Sequence, residues 1–193
     1  MNTTLQSFQQ RLGEAIGDLD HAEAQARLPQ RWSVQQIVEH LILTYSATEA
    51  VLTRRISKGR PTQARPSISQ SFKRIYVVHL GMFPEGVSAP VEVTPPSSSQ
   101  ALTGDQLVSL AAEHLLRMDA SLDRTSALFG EHTKSVSHVI LGPLSPQQWR
   151  RFHLVHGLHH IGHIRAILSV ANALHRSNDA IRPDQSTDLL RQR

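Results

Sequence analysis

The chain predicts an all-α fold, an antiparallel bundle of four long helices. Three observations carry this. Apolar residues recur at helical spacing through most of the 193 residues, with no convincing alternation of period two. Three helix starts carry a Ser or Thr followed three residues later by Gln, flanked by an apolar pair. A Pro- and Ser-rich stretch falls between the second and third long helices, where a surface crossing belongs.

The first helix is expected from about Thr4 to Ala26, with Leu5, Phe8, Leu12, Ile16 and Leu19 as its stripe. The second is expected from Val34 to about Ser57, with Ile37, His40, Leu41, Thr44 and Thr48 on one face. Ser33 and Gln36 form its capping box, and Trp32 with Ile37 its staple. A shorter helix over Ile68 to Leu80 stops at Gly81, and Met82 to Leu102, holding Pro84, Pro90, Pro95 and Pro96, reads as an extended loop. The third long helix is expected from Gly104 to Phe129, capped by Thr103 and Gln106, with Leu107, Leu110, Ala111, His114, Leu115, Met118 and Leu122 inward. The last runs from Pro146 to about His175, capped by Ser145 and Gln148. Thr3 with Gln6 and Ser67 with Gln70 are weaker copies of the box. The organisation that follows is a bundle over 1–175, an insertion over 59–103 and a polar tail over 176–193.

Composition narrows the function classes. With no Cys, disulfide frameworks, Cys-ligated zinc, iron–sulfur clusters and thiol nucleophiles drop out. No apolar run approaches the ~20 residues of a membrane span, so no membrane partner is expected. No apolar segment after Met1 reads as a secretory leader, and a cytoplasmic location is the expectation. The net charge is +4, but 5% aromatic residues leave few platforms for bases, which disfavours nucleic acid. The clusters Arg54, Arg55, Lys58, Arg60 and Arg150, Arg151 read as solvated surface.

Twelve histidines stand out, five of them between His153 and His163. Four residues apart on a helix, His156 and His160 point the same way, which is how one helix offers two imidazoles to a metal. His153 and His163 share that arc and His159 lies at its edge. The arc borders the stripe Leu154, Leu158, Ile161, Ile164 and Leu168. His40 is an inward His on another helix. If the second and fourth helices pack together, it converges with the pair. A hydrogen-bonded core histidine is the plainer reading for His40 alone, and for His114.

Trp32-Ser33 followed by Glu39-His40-Leu41, and then His156-Gly157-Leu158-His159-His160-Ile161-Gly162, resembles the DinB-like superfamily over roughly residues 1 to 175. The run from Gly142 to Trp149 resembles an uncharacterised branch of it. The resemblance implies a four-helix bundle with His40, His156 and His160 as ligands of a divalent metal; zinc or nickel suits three imidazoles. His163, where the family often has Gln, becomes a supporting group or an alternative ligand with His159. It also implies metal-dependent S-transfer or isomerisation with a small-molecule thiol, and a homodimer. A metal-dependent hydrolase and a non-enzymatic metal-binding stress protein stand as alternatives. No catalytic residue beyond the ligands is assigned: the Glu39 side chain is expected to point about 100° from His40.

Overall fold

The computed structural model describes residues 1–83, 90–97 and 99–181. Its helices are α1 (Thr3–Ile16), α2 (His21–Ala24), α3 (Val34–Ser57), α4 (Ile68–Arg74), α5 (Gly104–Phe129) and α6 (Pro146–Ile181). The fold is predominantly helical, as the periodicity predicts. Helix α3 packs along α5, α1 packs on both α5 and α6, and α6 also touches α3. The stripe residues Leu5, Phe8, Leu12, Leu41, Leu107, Leu115, Met118 and Ile164 fill the space between them.

The helix starts obey their capping chemistry. At Ser33, Ser67 and Thr103 the side chain accepts from the third helical amide while the Gln returns to the cap amide. Ser145 and Gln148 exchange the same two bonds. The first helix differs. Asn2, not Thr3, is its cap, accepting from the Thr4 amide.

Several expectations are corrected. The first helix ends at Ile16 and not near Ala26. The chain turns there, and Asp20 with Glu23 caps the separate short helix α2. The cause is a close approach: the Gly104 amide donates to the Leu19 carbonyl at 2.8 Å. A Cβ on Gly104 would sit 1.6 Å from the Ile16 oxygen, so only glycine lets α5 start against the end of α1. Leu110 is 36% exposed and does not face inward. The last helix continues six residues past His175, to Ile181, into the segment expected as tail. Pro183 lies outside the described residues.

Strands were not expected, but Val136–His138 (β1) and Gly142–Leu144 (β2) pair antiparallel, Val136 opposite Leu144. Three residues apiece are too few to show a period. Gly142, at φ 72°, brings the chain back, and the hairpin leads into the Ser145 cap. Helix α4 runs on as a π-helical turn, Ile75–His79, which packs on α6.

Arg150 is also corrected. It is 5% exposed, not solvated surface. It binds Asp119 at 2.8 Å, Asp123 at 2.5 Å and Glu131 at 3.0 Å. The Asn2 amide donates to the other Asp119 oxygen at 2.7 Å. One buried guanidinium thus ties the start of α1, two turns of α5, the segment after α5 and the first turn of α6.

From Val91 onward the described part of the Pro-rich segment lies along α3, while Phe83 packs on α6. Gln36 Nε2 donates to the Pro96 carbonyl at 3.1 Å. Gln35, 1% exposed, donates to the Gln100 carbonyl and accepts from the Leu102 amide. Ser99 donates to Glu39 at 2.6 Å. Of the segment's apolar residues, Val91 is 86% exposed in a short 3-10 turn. Val93 is half-buried, and Pro84 and Val87 lie outside the described residues.

Candidate metal centre

Helices α3 and α6 bring three imidazoles together. His40, His156 and His160 are 4%, 5% and 7% exposed, and one ring nitrogen from each lies within 4.8 Å of the others. The closest approaches are between like atoms. His156 Nε2 is 3.2 Å from His40 Nε2 and 3.1 Å from His160 Nε2. The i, i+4 spacing places His156 above His160 on α6, and the α3 stripe turns His40 toward them.

The proton count at this cluster is informative. His40 Nδ1 lies 2.7 Å from the Val93 carbonyl. A carbonyl only accepts, so Nδ1 carries the proton and His40 Nε2, in the neutral ring, is a bare lone pair. A proton on His156 Nε2 can point squarely at one neighbour and not at both. If it is absent, His156 presents its own lone pair to that of His40. His156 Nδ1 and His160 Nδ1 are buried with no hydrogen-bond partner among the described residues. Three facing nitrogens that no neutral arrangement joins by two well-aligned hydrogen bonds are a donor set that suits a divalent cation. A carbonyl on the outer nitrogen of one ligand is the usual support for such a donor.

Electrostatics agree. Burial, reinforced by the neighbouring histidines, holds His156 well below the ordinary histidine value and His160 at about 3. Burial also lowers His40, with the Val93 bond opposing it. All three are therefore neutral near pH 7, as ligation requires.

Aromatic rings close the site. Trp32 lies 5.0 Å from the His40 ring, Phe83 lies 5.1 Å from His156, and Phe152 stacks on His156 at 5.5 Å. Of the remaining expected residues, His159 is half-buried beside Phe83 and His163 is exposed. His153 is fully buried, its Nε2 3.1 Å from Thr48 Oγ1, and is a partnered core histidine. His114 lies away from the site, half-buried, with Ser46 at 2.9 Å. Glu39 is held by Gln35 and Ser99 and is not among the clustered groups.

Sequence reasoning missed three contributors: the Val93 carbonyl, Phe83 and Phe152. No pattern marks a backbone oxygen, whereas Phe152 was findable at four residues before His156. No family model, curated protein or solved structure matches this chain.

Proposed function

We propose that the chain is a DinB-like four-helix bundle that holds a divalent metal ion, zinc or nickel, on His40, His156 and His160, and uses it in chemistry on a small-molecule thiol. The observation that carries the reading is the convergence of three buried imidazoles, one ring nitrogen of each lying within 4.8 Å of the others. A cation so bound supplies Lewis acidity, which lowers the pKa of a thiol or water that joins it. Three protein donors leave room for such a ligand, the pattern of catalytic rather than structural sites.

The chain's own residues supply the rest. The Val93 carbonyl holds the His40 tautomer. Trp32, Phe83 and Phe152 keep water away and present polarisable faces, which suit sulfur. Among the described residues no carboxylate joins the cluster, so no general base is assigned. Because the chain lacks Cys, the thiol is a cosubstrate. This aromatic lining, with no carboxylate in the cluster among the described residues, supports S-transfer or isomerisation over hydrolysis.

The test is metal analysis of tag-free protein, followed by thermal melting with and without chelator. A bound ion stabilises the folded state by about 2.7 kcal/mol at a hundredfold excess over its Kd, which is about 5–11 °C for a chain of this size. His160→Ala should abolish the chelator response and His159→Ala should keep it. No bound metal and no chelator response in the wild type would refute the site. Bound metal without thiol consumption against simple electrophiles would refute the enzyme.

A further inference from the structure

Beyond the buried triad, α6 carries a second imidazole pair one step nearer solvent. His159 and His163 are four residues apart, with ring centroids 4.3 Å apart. That is close to the 4.6 Å of His156 and His160, whose nitrogens already converge. His160 joins the two pairs, 5.4 Å from His159 and 5.6 Å from His163. Exposure falls steadily along the series. His163 is exposed, His159 half-buried, and His160 and His156 are 7% and 5% exposed.

The inner site has a supply problem. A hydrated divalent cation must exchange its water for nitrogen, and the triad is closed by Trp32, Phe83 and Phe152. Direct entry would require water loss and ring displacement in one step. A pair of imidazoles at the surface exchanges water for nitrogen in stages. Phe83 touches both His156 and His159, so the ring that closes the inner site also stands beside the outer one.

We infer that His159 and His163 form a loading site that takes a divalent cation from solvent and passes it to the buried triad. This rests on the metal reading proposed above and adds a route to it. Two cations this close repel, so the outer pair binds weakly once the inner site is filled. It acts on rates. The dissociation constant is the ratio of release to entry, so a station on the path speeds both by the same factor and leaves it unchanged.

The experiment follows Co2+ entering the metal-free wild type and His163→Ala by stopped-flow visible absorption, and its release to excess chelator. His163 is exposed, so the substitution leaves the core intact. Capture at the surface makes the second step intramolecular, and its loss should slow entry by about tenfold. Release should slow by the same factor, with the equilibrium affinity of the tight ion unchanged. Equal entry rates with the tight ion intact would overturn the loading site alone. Loss of the tight ion in His163→Ala would also overturn it, by making His163 a ligand of the inner site. A wild type that binds no tight Co2+ would overturn both this inference and the metal reading.

Discussion

Gly157 follows a proposed ligand directly and sits where α6 meets α1, so its replacement by Ala tests the packing that places the site. Two effects oppose each other. Ala in a helix interior is worth about 1 kcal/mol over Gly. Against that, a Cβ at residue 157 would lie 2.2 Å from Phe8 Cε2 and 2.7 Å from Cδ2 and Cζ. Phe8 is 1% exposed and has no free space to turn into. Restoring an ordinary contact of about 3.5 Å needs roughly 1 Å of helix separation, and overpacking of this kind costs about 1–3 kcal/mol. The net expectation for Gly157→Ala is a loss of up to about 2 kcal/mol, or as much as roughly 4–8 °C in Tm. Gly162→Ala is the internal control. A Cβ there meets nothing within 4 Å, so it should gain about 1 kcal/mol from propensity alone. The assay is thermal melting, with and without chelator. Because metal–nitrogen distances tolerate only about 0.2 Å, Gly157→Ala should also weaken the chelator response, and Phe8→Leu combined with it should cost less than the two singles summed. If both glycine variants raise Tm equally and leave the chelator response intact, the contact between α1 and α6 at Phe8 is wrong.

Two further outcomes concern stability. The metal-free protein should lose stability as pH falls below about 6.5. Burial lowers His138 to about 4 and His153 to about 3, so between those values and 6.5 the unfolded chain binds protons that the folded chain does not. Each contributes about 2 kcal/mol of loss by pH 5; urea midpoints that stay level from pH 7 to pH 5 would contradict their burial. Arg150→Met should cost about 3–5 kcal/mol, because Asp119 is left buried without its cation. Arg150→Met/Asp119→Leu should recover most of that in urea unfolding, and a single-variant cost under about 1 kcal/mol would show the network to be solvated.

The helices α3, α5 and α6 and the pairing of His156 with His160 were legible because their signals are local. A capping box spans four residues, and an i, i+4 pair needs only the helix that contains it. The convergence of His40 was legible only as a condition on which helices pack together. What escaped the sequence depends on atoms without a residue signature. The end of α1 at Ile16 is set by a backbone approach from Gly104, 88 positions further along the numbering. The β1–β2 hairpin is too short to have a period. Arg150 looked like surface because its three carboxylates come from Asp119, Asp123 and Glu131, which share no pattern with it. Leu110 fitted the inward stripe by angle, yet it lies at the stripe's margin and emerges 36% exposed.

The bond from His40 to residue 93 is made to a peptide oxygen, which every amino acid possesses. Replacing Val93 by another residue therefore leaves the acceptor in place. What positions that oxygen is how many residues separate it from the segment's first anchor, the Pro96 carbonyl on Gln36, and how stiff they are, with Pro95 lying between. Natural selection acting on this bond would see the segment's length and rigidity rather than its letters. The family of tolerated sequences should then vary freely at residue 93 while conserving the spacing from it to Pro96. Such a constraint is recorded in alignment gaps and not in alignment columns.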